Sequence, residues 1–516
     1  MKSTALVLLG LLATLSSVCA NVVPSPLFQD HAVLQHGKPV PIWGTADAGE
    51  SVSVTFAGQT LTTTARADGS WRVSLAPLAP DARPGTLTLV GKNTVVIRDV
   101  LVGEVWLASG QSNMEWPLKQ TQDANAAIAS ADLPLIRELR VGRRIADTPL
   151  ATFSGAWQVA SPATAGEFSA VGYYFALELH RRLGQIPVGI IHSSWGGTYV
   201  EVWLDRAALA SEPALLAAID RRSAGIDAGV PDVTAKFAAA NAAWETARGA
   251  ALAKGEAFTQ ARPKTPWALE RPYHPACLYN GMIHPLLPYA LRGAIWYQGE
   301  SNVQRTGEYR ALFSAMITQW RAAFAQGDFP LYWVQLAAYN DGRPLGTDWA
   351  FLREAQTQTL ALPQTGQAVI IDGTEHKTIH PTQKAVVGER LARLALARTY
   401  GLKGVVDSGP RFERAVFTGA TARVEFAPSP VEAGDLEAEG GVLAGFELAG
   451  ADRIFQPAEA RIEGRTVVVT ASVVPKPIAV RYAWRNAPAA TLRNAAGLPA
   501  APFRSDDFPA QKDANP

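Results

Sequence analysis

The 516-residue chain is too long for one hydrophobic core and implies two or three domains, one of them large. With 47 Lys+Arg against 46 Asp+Glu, its formal net charge of +1 gives no field to gather nucleic acid or an anionic membrane surface. A small or neutral ligand is the expected partner. Fourteen Trp and twelve Tyr beside only two Cys suit a chain that stacks rings on sugars, although core packing accounts for most of them.

The N-terminus reads as an export signal over 1–20. Lys2 precedes a short apolar segment at 5–13, and Ser-Val-Cys-Ala at 17–20 ends in small residues suited to cleavage after Ala20. The mature protein would then begin at Asn21 and be periplasmic or secreted. Val18 before Cys19 fits poorly with a lipid-anchor site, and removal of Cys19 leaves Cys277 alone, so no internal disulfide can form. No other apolar run approaches the roughly 20 residues that span a bilayer.

Residues 21–100 read as a small β-sandwich. Short β-rich runs at 39–42, 51–56, 60–64, 71–75 and 86–90 alternate with turn signals such as Asp47-Ala48-Gly49 and Asp68-Gly69. A carbohydrate-binding role finds no aromatic platform there beyond Trp43 and Trp71, and packing is the simpler reading. Residues 101–400 change to strands at 103–109, 187–192, 292–297, 331–336 and 367–371, with helices between the later ones. Leu312, Phe313, Met316, Ile317, Trp320 and Phe324, for example, mark one helical face. Parallel strands need crossovers, so the expected fold is α/β: a three-layer α/β/α domain with a parallel sheet, flanked by small β domains. Ala-rich, strand-poor residues 205–262 read as a helical insertion, either padding or a lid over the site. Residues 401–509 return to β patterning, with 421–426, 441–448, 461–470 and 478–484 as strand candidates, and 510–516 read as a disordered tail.

The stretch GEVWLASGQSNMEW, 103–116, ends an apolar strand in a sharp turn and makes Ser112 either a nucleophile or a helix cap. Three further stretches fall at predicted strand ends. IIHSSWGGTYVEVW, 190–203, supplies the Gly196-Gly197 pair; AIWYQGESN, 294–302, supplies Glu300 and Asn302; DGTEHKTIHPTQK, 372–384, supplies His376 and His380. A serine, a glycine amide, an asparagine amide and a histidine are the parts that acyl transfer needs: nucleophile, base and preorganised oxyanion donors. His192, His284 and His376 are scattered without metal-ligand spacing.

These blocks resemble the SGNH (GDSL-like) hydrolase superfamily and, more closely, its sialate O-acetylesterase group of carbohydrate esterases. LFQDHAVLQ, PIWGTADAGE, LYNGMIHPLLPYALRGAIWYQGESN and IHPTQKAVVGERLA extend the likeness over most of 22–400. The resemblance implies a carbohydrate O-acetylesterase acting on sialic acid or on a plant polysaccharide such as xylan or xyloglucan, with no metal and no cofactor. It implies Ser112 as nucleophile, His380 as general base, and an oxyanion hole from the amides of Ser112 and Gly197 and the side chain of Asn302. Gln111, Trp116, Trp195 and Gln298 are the expected substrate contacts. The superfamily's Asp three residues before the histidine is replaced here by Lys377. Glu300, Asp372 and Glu375 are therefore the candidate acids, Glu300 being favoured, against a bare Ser-His dyad. The alternatives are a catalytically idle sugar-binding protein, with Trp116, Trp195 and Trp296 as stacking surfaces, or a lipase or thioesterase. Arg271 and Arg305 leave both a carboxylate-bearing and a neutral sugar open, and oligomeric state is not legible.

Overall fold

The computed structural model describes residues 21–270, 272–343, 346–427 and 435–509. The expected export signal, Arg271 and the tail from 510 lie outside the described residues. The centre is a seven-stranded path made of β1 (Thr94–Gly110), β2 (Leu133–Val141), β3 (Gly155–Ala160), β4 (Val188–Ser194), β5 (Gly293–Tyr297), β6 (Leu331–Val334) and β7 (Thr365–Ala368), in the order β3-β2-β4-β1-β5-β6-β7. All neighbours are parallel except the β2–β3 edge hairpin.

The register explains the layers. Trp106 lies opposite Gly293 and Ser109 opposite Trp296, so Trp106 and Trp296 project from opposite faces. Trp106 meets Phe175 of α2 (Ala170–Arg182), whereas Trp296 meets Phe313 and Trp320 of α4 (Thr306–Phe324). Helix α6 (Lys384–Leu394) packs on α2, and α5 (Asp348–Gln358) on α4, which gives the α/β/α sandwich. Strands β2 and β3 were not expected from the sequence. Arg137, Glu138 and Arg140 break the apolar pattern of β2, yet Arg137 is buried by pairing with Asp99 and Glu138 by contacts to His192 and the Ser169 amide.

The N-terminal strands are not separated from this domain by a break in packing. One hydrophobic core runs from Val22 to Val405, and the 17-residue β1 begins against the N-terminal strand Asp81–Val90 before it enters the central sheet. Much of the 205–262 stretch forms one long helix, α3 (Pro213–Ala253), with only Ile219 and Ser223 buried along it. The residue that comes to the site is Trp267, just beyond that stretch, whose indole lies 3.8 Å from where a Gly197 Cβ would stand. The C-terminal strands form a second core. Fully buried Arg353 ties them to α5 by donating to the carbonyls of Leu336, Ala337, Arg485 and Asn486.

Candidate active site

Strand β1 ends at Gly110, where φ is +136° and a Cβ would fall 2.1 Å from the Tyr297 carbonyl oxygen; only glycine fits. The chain turns there, the Gln111 amide donates to Tyr297 O at 2.9 Å, and Ser112 opens the one-turn helix α1 (Ser112–Glu115). On the loop after β7, 268 residues on, His380 brings Nε2 to 2.8 Å from Ser112 Oγ. The His380 amide donates to Thr378 Oγ1, and the Trp116 indole stacks on the imidazole with ring centres 5.0 Å apart. Burial, and secondly the charge of Lys384, hold the imidazole below its usual pKa of 6.5. At neutral pH it is therefore unprotonated and able to accept the serine proton.

The expected acid is not on this histidine. Glu300 Oε1 accepts from Asn113 Nδ2 at 2.5 Å, and its Oε2 is buried without a hydrogen-bond partner among the described residues. Asn113 intercepts the carboxylate, since the same Nδ2 also donates to the Ile379 carbonyl at 3.0 Å. Glu300 thus acts on the His380 loop through an intermediary. Asp372 forms a two-pronged pair with Arg390, and Glu375 holds the amide and hydroxyl of Thr382. Among the described residues no carboxylate pairs with either ring nitrogen of His380.

Two residues that the sequence did not single out complete the network. Lys384 Nζ donates to Asn113 Oδ1 and stands over the rings of Trp116 and Tyr297, and burial draws its ammonium down to about 7. Burial also raises the Glu300 carboxyl. Asn113 adjoins the nucleophile and could have been suspected, but nothing in the sequence marks Lys384, the first residue of a surface-type amphipathic helix, as buried.

The second glycine stretch packs against Ser112. Gly196 donates to Glu115 Oε2 at 2.9 Å, and a Cβ there would lie 3.0 Å from Ser112 Cβ. Gly197 follows with φ +74°. Asn302 is fully buried: its Oδ1 accepts from Gln298 Nε2 and the Val200 amide, and its Nδ2 donates to Glu201, leaving one Nδ2 hydrogen without a partner among the described residues.

Some expected substrate contacts are corrected. Gln298 is fully buried with its amide spent on Thr198, Asn302 and Tyr309, so it braces the turn. Gln111 is buried too: its Oε1 accepts from the Gly299 and Ser301 amides, so only its Nε2 is left for a substrate. Trp296 is core. Trp195 is 7% exposed beneath the Arg143 guanidinium, while Trp116 stays half-buried against His380. Arg305 is taken by Glu201 at 2.8 Å.

A half-buried serine hydroxyl in contact with an unprotonated imidazole, beside glycine turns, supplies the groups that acyl transfer requires. Sialate O-acetylesterase of Rattus norvegicus is 31% identical over 407 residues, 72% of this chain and 72% of its own length. The chain belongs to the sialate O-acetylesterase family. The counterpart from Mus musculus is 30% identical over the same shares. Residues 267–397 match the family described as carbohydrate esterase, sialic acid-specific acetylesterase. A crystal structure of a carbohydrate acetylesterase from Xanthomonas citri superposes with a TM-score of 0.80 at 39% identity, covering 94% of this chain and all of that one. This member of the carbohydrate acetylesterases is accordingly an esterase with the α/β SGNH-type fold. The 267–397 match includes Glu300, Asn302, His380 and Lys384; Ser112 and Gly197 lie outside it.

Proposed function

We propose that this esterase removes O-acetyl groups from sugars through an acetyl intermediate on Ser112. The observation that carries the reading is the 2.8 Å contact between Ser112 Oγ and the unprotonated His380 Nε2. His380 takes the hydroxyl proton as Oγ attacks the acetyl carbonyl, and the tetrahedral oxyanion is held by the Ser112 and Gly197 amides and the unspent Asn302 N–H. The imidazolium then gives its proton to the departing sugar oxygen. Water, activated by the same imidazole, releases acetate and restores the serine. Trp116 offers its π face to the imidazolium, a contact of about 0.5–2 kcal/mol, in a site where no carboxylate among the described residues does so. The relatives named sialate O-acetylesterase and carbohydrate acetylesterase support an acetylated sugar as substrate.

The test is Ser112→Ala, assayed for acetate release from acetylated oligosaccharides and from 4-nitrophenyl acetate. We expect a loss of about a thousandfold or more with an unchanged melting temperature. Retention of more than about one per cent of the rate would remove Ser112 from the nucleophile role.

A further inference from the structure

The carboxylate that meets Asn302 is that of Glu201, on the single 3-10 turn Val200–Val202 that follows the Gly196-Gly197 bend. Glu201 is 3% exposed, and each of its oxygens faces a donor. Oε2 accepts from Asn302 Nδ2 at 3.0 Å, and Oε1 lies 2.8 Å from Arg305 Nη1. Arg305 ends the turn Glu300–Arg305 that also carries Asn302, and its guanidinium lies over the Tyr199 ring, 4.4 Å from the ring centre. Stacking holds the planar group in place against Glu201.

These contacts determine which end of the Asn302 amide carries the N–H. Oδ1 meets two donors, Gln298 Nε2 and the Val200 amide, whereas Nδ2 meets a carboxylate, which only accepts. Turning the amide end for end would set its oxygen against the Glu201 carboxylate, so Glu201 keeps Nδ2 and its remaining hydrogen where they are. A glutamine at 201 could not do the same beside Arg305. Asn302 Nδ2 and Arg305 Nη1 are both donors, and together they call for two acceptor oxygens.

The same carboxylate opposes the reaction unless its charge is cancelled. An oxyanion held ~3 Å from Asn302 Nδ2 would stand within about 6 Å of Glu201 Oε2, where like charges repel. Arg305 supplies the cancelling charge. Arg222 of α3 also comes within 3.8 Å of Oε1, but its guanidinium is already forked onto Glu308 at 2.9 and 2.8 Å. We propose that Glu201 and Arg305 are a positioning pair for acetyl transfer: Glu201 fixes the Asn302 amide, and Arg305 removes the repulsion that the Glu201 charge would bring to the oxyanion. Both act through Asn302 and the local field, not on the ester itself. The inference rests on the oxyanion role given to Asn302 above.

The test measures kcat and KM of the full chain on 4-nitrophenyl acetate, with a melting temperature for each variant. Arg305→Met should lower kcat by about tenfold or more and leave KM within about twofold, because the oxyanion forms only on the way to products. Arg305→Lys, which keeps the charge, should recover most of that loss. Glu201→Gln should lower kcat by about tenfold, and should lower it no further once Asn302→Ala is in place. The double variant Glu201→Gln/Arg305→Met should return to within about threefold of wild type, since a glutamine freed from Arg305 can turn its oxygen to Asn302 and no unpaired charge remains. Residues that only brace the fold would give losses that multiply and that persist without Asn302. A double variant slower than both single ones, or a Glu201→Gln loss undiminished in Asn302→Ala, overturns the pair. Should Glu201→Gln not fold, Arg305→Met and Arg305→Lys carry the test, and equal kcat values for the two overturn it. An Asn302→Ala variant with unchanged kcat would remove the oxyanion reading and the pair with it, whereas a slow Asn302→Ala beside an Arg305→Met of wild-type kcat overturns the pair alone.

Discussion

Removing the charge of Lys384 tests how this site sets the basicity of its histidine. The ammonium is buried and stands 5.8 Å from the Trp116 ring, which itself lies 5.0 Å from the imidazole, so the charge is within about 11 Å of His380. At an effective dielectric of ~20, a unit charge at that distance is worth ~1.5 kcal/mol, or about one pH unit. The sign follows from like charges: the ammonium opposes formation of the imidazolium and depresses its pKa. Lys384→Met keeps an unbranched apolar stem and deletes the charge, so the His380 pKa should rise. Activity requires the unprotonated imidazole, and the acid limb of kcat/KM should therefore move upward by about one pH unit. The assay is the pH profile of kcat/KM on 4-nitrophenyl acetate, with circular dichroism to check folding. A purely structural role would lower the plateau and leave the limb in place. A limb that stays within about 0.3 pH units of wild type refutes the electrostatic coupling.

Two other substitutions separate the roles around this pair. Glu300→Gln retains an oxygen that accepts from Asn113, so its rate should fall by about tenfold or less; a loss near 10⁴, the cost of removing a triad carboxylate, would put Glu300 on the imidazole during turnover. Asn302→Ala should lower kcat by roughly a hundredfold with little change in KM, and unfolding in urea should show a loss of about 1–3 kcal/mol because Gln298, Val200 and Glu201 each lose a buried partner. An unchanged kcat would confine Asn302 to bracing.

The parts of the site that the sequence revealed are those carried by backbone turns. Gly110 and Gly196 mark strand ends where a Cβ would crowd Tyr297 O and Ser112, Gly197 follows at a φ of +74° that favours glycine, and each delivers its neighbour to one end of a parallel sheet. The side-chain partners were less legible. Glu300 and Gln298 stand on the right turn, yet partners outside it, Asn113 from 187 residues away and Tyr309 from the following helix, determine which way they face. Strand β2 escaped notice for a related reason. Its charged residues Arg137 and Glu138 read as surface until Asp99 and His192, distant in sequence, pair with them in the interior. Lys384 is the extreme case, a lysine buried by the fold around it.

The absence of a carboxylate on His380, among the described residues, changes what the base does best. A triad acid raises the basicity of the imidazole and favours attack, whereas burial and Lys384 lower it here. The imidazole is consequently a weaker base but a stronger acid once protonated. A nitrophenolate leaves without help, but a sugar alkoxide is a poor leaving group and must be protonated as the C–O bond breaks. An acidic imidazolium gives that step its driving force. The cost falls on the attack by Ser112, where Trp116 eases imidazolium formation and the oxyanion donors carry the developing charge. The arrangement is thus matched to esters whose difficulty lies in the leaving alcohol, and Lys384→Met should slow sugar deacetylation more than hydrolysis of 4-nitrophenyl acetate when the two are compared below the Lys384 value of about 7, where wild type carries the charge.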